Sequence, residues 1–166
     1  MVSGLGANST LEITSGSTVT MNAATDVGTI KLDAATHLTL NGMAFLTAIG
    51  STGNDTIIAG GVDQTLTGST GTDVLVGYSG GSDTFRDLAA GLNGDTIQSF
   101  LASDTIDITD LGYGSAALKA TASGTNTSVT VTSGATKTTF TLTGSFSAAG
   151  FVLASDGHGG TIITHS

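Results

Sequence analysis

The chain has 166 residues, 25 of them glycine, with no proline, cysteine or tryptophan and 5% aromatics, which makes it one modest domain or a repeat array with a slender core. The missing cysteines exclude disulfide staples and Cys-based zinc sites. Charged residues are only 10%, yet thirteen acids face four bases for a net charge of -9, which speaks against nucleic acid or an anionic membrane surface as a partner.

At the amino end, residues 1–10 carry neither a basic region nor a sustained apolar run, so no Sec-type signal is expected. No stretch approaches the ~18 consecutive apolar residues of a membrane helix, and no membrane span is expected. Beyond residue 10 the chain reads as strands almost throughout: aliphatic residues alternate with Thr or Ser for about four residues before a Gly, Asn, Asp or Ser turn. Residues 11–13 (LEI), 19–21 (VTM), 30–32 (IKL) and 38–40 (LTL) are short and evenly spaced, the pattern of solenoid coils rather than long hairpins. Helical signals are confined to single turns at 86–90 and 147–150. The turns of residues 1–49 hold Asp26, Asp33 and Asn41 without a Gly-rich hexapeptide, so this part is expected to be degenerate coils without metal.

From Gly50 the repetition sharpens. Read in nines, residues 50–58 are GSTGNDTII, 59–67 AGGVDQTLT and 68–76 GSTGTDVLV, close to the G-G-x-G-x-D-x-U-x nonapeptide of calcium-binding β-helices. Six residues suit a turn, where Gly frees the backbone and Asp supplies a carboxylate; three suit a strand whose aliphatic residue (Ile57, Leu66, Leu75) points inward. Two nines complete a coil, so Asp55 and Asp73 are expected in adjacent coils on one side. With carbonyls around Gly53, Asn54, Gly71 and Thr72 they are placed to sandwich a hard cation, and calcium fits an all-oxygen ligand set. Residues 55–110 hold nine aspartates against Arg86 alone, a like charge that a cation would relieve.

These repeats resemble the hemolysin-type (RTX) calcium-binding β-roll at the carboxyl end of bacterial type I secretion substrates. The likeness continues through 83–85 (DTF), 94–100 (GDTIQSF) and 103–108 (SDTIDI), similar to the run that closes such rolls, and through 151–161, similar to the carboxyl-terminal region of such substrates. It implies bound Ca2+, a secreted or cell-surface location, an uncleaved signal in the last part and an ABC transporter as partner. By family position Asp83, Asp95 and Asp104 become further ligand candidates, and Asp63 stands one place early, before Gln64. Asp83 falls ten rather than nine beyond Asp73, and the break at 86–93 threatens to move the later aspartates into a cap. Asp87, Asp107 and Asp110 read as solvated caps.

Residues 111–166 change texture. Segments 117–121, 128–132, 138–142 and 151–154 read as antiparallel hairpins covering the open end of the solenoid, with Phe140, Phe146 and Phe151 as their core. The expected fold is therefore an all-β parallel β-roll or β-solenoid with an antiparallel cap, divided at 1–49, 50–110 and 111–166.

No enzyme is expected. His37, His158 and His165 are far apart, His165 in a terminus expected to fray, and no HExxH, GxSxG, P-loop or dinucleotide fingerprint occurs. Three readings stay open: a calcium-folded secretion module, a structural or adhesive surface protein with self or cell-surface polysaccharide as partner, and, less favoured, an ice-binding or polysaccharide-active solenoid. The ice-binding reading rests on the Thr-x-Thr triplets at 18–20, 130–132 and 139–141, which do not recur at one coil spacing.

Overall fold

The computed structural model describes residues 9–22 and 28–166. It is an all-β chain: a parallel β-solenoid of about five turns followed by antiparallel strands. One face, sheet I, stacks β1 (Thr10–Ile13), β3 (Thr29–Leu32), β5 (Thr47–Ile49), β7 (Thr65–Thr67), β9 (Thr84–Asp87) and β11 (Thr105–Ile108). The opposite face, sheet II, stacks β2 (Thr18–Asn22), β4 (His37–Asn41), β6 (Thr56–Ile58), β8 (Val74–Val76) and β10 (Thr96–Gln98). The register carries Thr47 onto Thr65 and Thr56 onto Val74, the eighteen-residue step of the nonapeptide pair. It stretches where Thr65 pairs with Thr84 and where Thr84 pairs with Thr105, absorbing the extra residues without leaving the stack.

Alternation explains why so little sequence makes a core. Each three-residue strand turns its middle side chain inward, and Ile57, Leu75 and Ile97 from sheet II meet Ala48, Leu66, Phe85 and Ile106 from sheet I, all fully buried. Burying such a side chain is worth roughly 1.5–3 kcal/mol, repeated at every coil. One hydrophobic cluster runs from Ile30 to Ile163, straight through the junction at residue 49. The outward residues also stack. Thr10, Thr29, Thr47, Thr65, Thr84 and Thr105 form one in-register column on sheet I, a repetition at coil spacing that the Thr-x-Thr triplets do not reveal. Beside it Lys31 pairs with Glu12 at 3.6 Å and Arg86 with Asp107 at 3.2 Å.

The carboxyl-terminal hairpins extend both sheets rather than lying across their end. β12 (Ala117–Ser123), β13 (Asn126–Ser133) and β14 (Thr136–Thr143) form an antiparallel meander, and β14 then adds to β10 in parallel. β16 (Thr161–His165) adds antiparallel to β11 and carries β15 (Phe151–Ser155). Phe140 is buried as expected, while Phe146 and Phe151 pack against the cluster from partly exposed positions. His165 corrects the expectation of a frayed terminus: it sits in β16, edge-on to Phe146 and Phe151 at 5.1 and 4.7 Å, with Nε2 3.1 Å from the Ser147 carbonyl. Residues 148–150 do form a short 3-10 turn, whereas Arg86 and Asp87 belong to a strand. Asp26 lies outside the described residues. No helix among the described residues is long and apolar enough to cross a membrane.

One turn is strained. Phe45 adopts φ 57°, left-handed backbone unfavourable to a bulky side chain, while its ring is 75% exposed and gains little from packing. Phe45→Asn, which keeps the backbone bond from Phe45 N–H to the Val62 carbonyl and tolerates that backbone, is expected to stabilise by about 0.5–1 kcal/mol, read as a rise of about 2–4 °C in Tm.

Candidate functional site

The turns place the aspartates in two columns, one on each edge of the solenoid. On the edge leading into sheet II, Asp55, Asp73 and Asp95 each stand just before a strand, and all are at most 2% exposed. Their carboxylates point inward and along the stack. Thr36 N–H donates to Asp55 Oδ1 at 2.7 Å, Asp55 N–H to Asp73 Oδ1 at 2.7 Å, and Asp73 N–H to Asp95 Oδ1 at 2.8 Å. Each aspartate thus accepts the backbone N–H that the preceding coil leaves unpaired at its turn. The opposite edge repeats the device: Gln64 N–H donates to Asp83 at 3.0 Å and Asp83 N–H to Asp104 at 2.8 Å.

The aspartates expected as ligands accept backbone N–H groups of the neighbouring coil. Asp55 and Asp73 do lie in adjacent coils, but they are joined by a direct hydrogen bond. Both oxygens of Asp55 are engaged, because Ser51 N–H and Ser51 Oγ–H donate to the second one at 2.7 and 2.9 Å. Asp83 receives Tyr78 N–H at 2.6 Å and Asp104 receives Leu101 N–H at 2.8 Å on theirs. Asp63 is exposed on a turn with φ 57° and stands outside both columns. Gln64 takes the column position instead, donating from Nε2 to the Met43 carbonyl at 2.6 Å. Asp95 and Asp104 remain within the coils rather than in a cap. The turn residues Gly53, Asn54, Gly71 and Thr72 are brought together: Thr72 N–H donates to Asn54 Oδ1 at 2.9 Å, and a Cβ on Gly71 would lie 2.6 Å from the Gly53 carbonyl.

Asp87, expected as a solvated cap, is buried and joins the same scheme, whereas Asp110 is exposed and caps a backbone N–H as expected. Asp87 is 8% exposed and accepts Ser69 N–H at 2.7 Å and Leu88 N–H at 2.8 Å, while Asp110 accepts Ala89 N–H at 2.6 Å. The eighteen-residue interval from Ser69 to Asp87 is the sequence signal that marks this position. Asp107 is paired with Arg86 on the outer face of sheet I, and its other oxygen is buried without a partner.

Two further oxygens stand apart. Asp73 Oδ2 and Asp95 Oδ2 are buried and accept no hydrogen bond. They converge on one glycine, since a Cβ on Gly68 would lie 2.5 Å from the first and 3.0 Å from the second. Burial pushes the Asp73 carboxyl up to about 6 and that of Asp95 to about 7, with the neighbouring carboxylates adding to the rise. Burial raises Asp87 and Asp104 as well. No group of three or more His, Cys, Asp or Glu side chains able to hold a metal ion occurs among the described residues. Among the described residues, the feature whose donor chemistry suits a hard cation is the pair of buried, unpartnered oxygens of Asp73 and Asp95.

No protein-family model matches this chain, and comparisons with curated proteins and with solved structures found no match.

Proposed function

We propose that the chain is a calcium-folded β-solenoid module of a secreted protein, with Asp73 and Asp95 as its carboxylate ligands. The observation that carries this reading is the pair of buried, unpartnered oxygens facing Gly68. Two carboxylates held so close, in a segment with one base, either keep a proton or take a cation. A bound divalent cation supplies the positive charge that lets both stay ionised in a dry turn. The chain's own part is to hold them there: Asp55 N–H and Asp73 N–H fix the other oxygens, and the glycine between them leaves room that a side chain would fill. In a calcium-poor cytoplasm the ionised pair loosens the coils; in a calcium-rich exterior the same pair locks them. Export by a type I ABC transporter is the RTX resemblance's contribution to this reading.

Circular dichroism melts of chelator-treated protein at pH 8 test it, with calcium titrated in and magnesium as control. Calcium is expected to raise Tm, by about 2.7 kcal/mol of stability at a hundredfold excess over Kd, and Asp95→Asn to remove the response. A melt indifferent to calcium sinks the reading.

A second, non-enzymatic reading is a structural or adhesive surface scaffold. It is favoured by the columns themselves, since Asp55, Asp83 and Asp104 join coils through backbone hydrogen bonds to both oxygens.

A further inference from the structure

Asn-Gly occurs twice in the chain, at residues 41–42 and 93–94, while the other asparagines precede Ser, Ala, Asp or Thr. In that dipeptide the second residue has no Cβ, so its backbone nitrogen can close on the asparagine side chain without obstruction. Asn93 and Gly94 are both exposed, in the turn between β9 and β10, and they directly precede Asp95.

The fold clamps both reacting groups with one residue of β14. Gly94 N–H donates to the Thr139 carbonyl at 2.8 Å, and Thr139 N–H donates to Asn93 Oδ1 at 3.1 Å. The turn thereby copies a strand rung. It continues the ladder in which Thr141 N–H donates to the Asp95 carbonyl at 2.9 Å and Ile97 pairs with Leu142. Neither the nitrogen nor the carboxamide can turn toward the other while Thr139 is in place. At the other dipeptide the clamp comes from the coils: Gly42 N–H donates to the Gly60 carbonyl at 2.8 Å, and Asn41 Nδ2–H to Asn22 Oδ1 at 3.1 Å.

We propose that Asn93 is a self-modification site that β14 holds shut, so that the residue deamidates when β14 leaves β10 and is preserved while the two strands are joined. In the open turn the Gly94 nitrogen, giving up its proton, attacks the Asn93 carboxamide carbon. The new N–C bond closes a cyclic imide, and the amide nitrogen leaves as ammonia with that proton. Water then opens the imide at one carbonyl or the other, leaving aspartate or isoaspartate, and no oxidant or reductant takes part. Isoaspartate carries the main chain through the side-chain carbon, which lengthens the backbone two residues before Asp95 and throws the Thr139 and Thr141 bonds out of register. Aspartate keeps an acceptor for Thr139 N–H but adds a negative charge beside an acidic column. Either product hinders the return of β14, so time spent open is written into the chain as a covalent change.

Peptide mapping by mass spectrometry, which separates Asn, Asp and isoaspartate at each position, follows both dipeptides during incubation in mildly alkaline buffer. Calcium is present in the folded samples, so that the chain is folded on either reading of the Asp73–Asp95 pair. Asn93 is expected to convert at least about tenfold more slowly in buffer than in concentrated urea, a factor that corresponds to about 1.4 kcal/mol of opening. This wild-type comparison needs no variant to fold. Leu142→Ala, which hollows the β14 side of the junction, is expected to speed Asn93 in the folded protein by at least about tenfold and to leave Asn41 within about twofold. Leu40→Ala in β4 makes the same deletion among the coils and is expected to speed Asn41 instead. Wild-type Asn93 converting as fast in buffer as in urea overturns the proposal, as does an Asn93 that stays inert in urea. Equal acceleration of the two sites in each variant overturns it too, because opening would then be global rather than a release of β14.

Discussion

Without metal, this protein is expected to melt highest near pH 4–5 and to lose stability as the pH rises to 8. Asp73 and Asp95 titrate near 6 and 7 in the fold but near the ordinary carboxylate value of 3.8 in the unfolded chain. Between those limits the folded state binds more protons than the unfolded state, so stability is fully present below about pH 4 and is lost as pH climbs through the folded values. Asp87 and Asp104, also raised, act in the same direction, while Asp156, held low by the N–H of His158, acts in the opposite one from an exposed turn. Each pH unit separating folded from unfolded titration is worth about 1.4 kcal/mol, and the two carboxyls raise each other's proton affinity so that their effects do not add, which makes the loss about 2–4 kcal/mol, or about 10 °C in Tm. Asp95→Asn is expected to flatten the profile, because an amide there still accepts Asp73 N–H through its oxygen and offers Asp73 Oδ2 a donor. Melts across pH 4–8 in chelator, for wild type and Asp95→Asn, check both statements; a wild-type profile that rises toward neutrality defeats them.

Asp55→Ala is expected to cost about 3–5 kcal/mol at neutral pH. Three donors close on this one carboxylate, Thr36 N–H, Ser51 N–H and Ser51 Oγ–H, and a buried donor left unpaired costs about 1–3 kcal/mol. The Ser51 hydroxyl can turn elsewhere, but the two amides cannot. Asp63→Asn, on an exposed turn outside the columns, is expected to shift stability by less than about 0.5 kcal/mol. Urea unfolding of the two variants measures the contrast, and equal effects would erase the distinction between column and turn aspartates.

The strands were legible because their inward positions carry the signal: LEI, VTM, IKL and LTL in the amino-terminal part fall within β1 to β4. The stacking of Asp55 on Asp73 was legible from the eighteen-residue repeat. The direction of the carboxylates was not, since a turn aspartate obeys the same spacing whether it faces carbonyls around a cation or the N–H of the coil before it. Gln64 carried a clue, because it stands at the column position and hydrogen-bonds through both ends of its amide, from Gly60 N–H and to the Met43 carbonyl. Pairing of β14 with β10 was also hidden. No local pattern names a partner across residues 96 to 141, and the choice is made by Val129, Val131, Phe140 and Leu142 completing the core. His165 read as a loose end because its partners, Phe146 and Phe151, come together only after the meander has formed.

The addition of β14 to β10 and of β16 to β11 makes the rod between the first coil and those strands extensible in one way only. Everything between the first coil and the cap is built on a step of about 4.8 Å per turn, and residues 56–73 are one complete turn whose ends already meet in register at Thr56 and Val74. Duplicating that segment in place adds a rung while leaving every cap contact unchanged, so overall length is written in whole multiples of a single unit. Such a chain is a ruler: its reach is set by a count of repeats, and loss or gain of one repeat changes distance without changing shape.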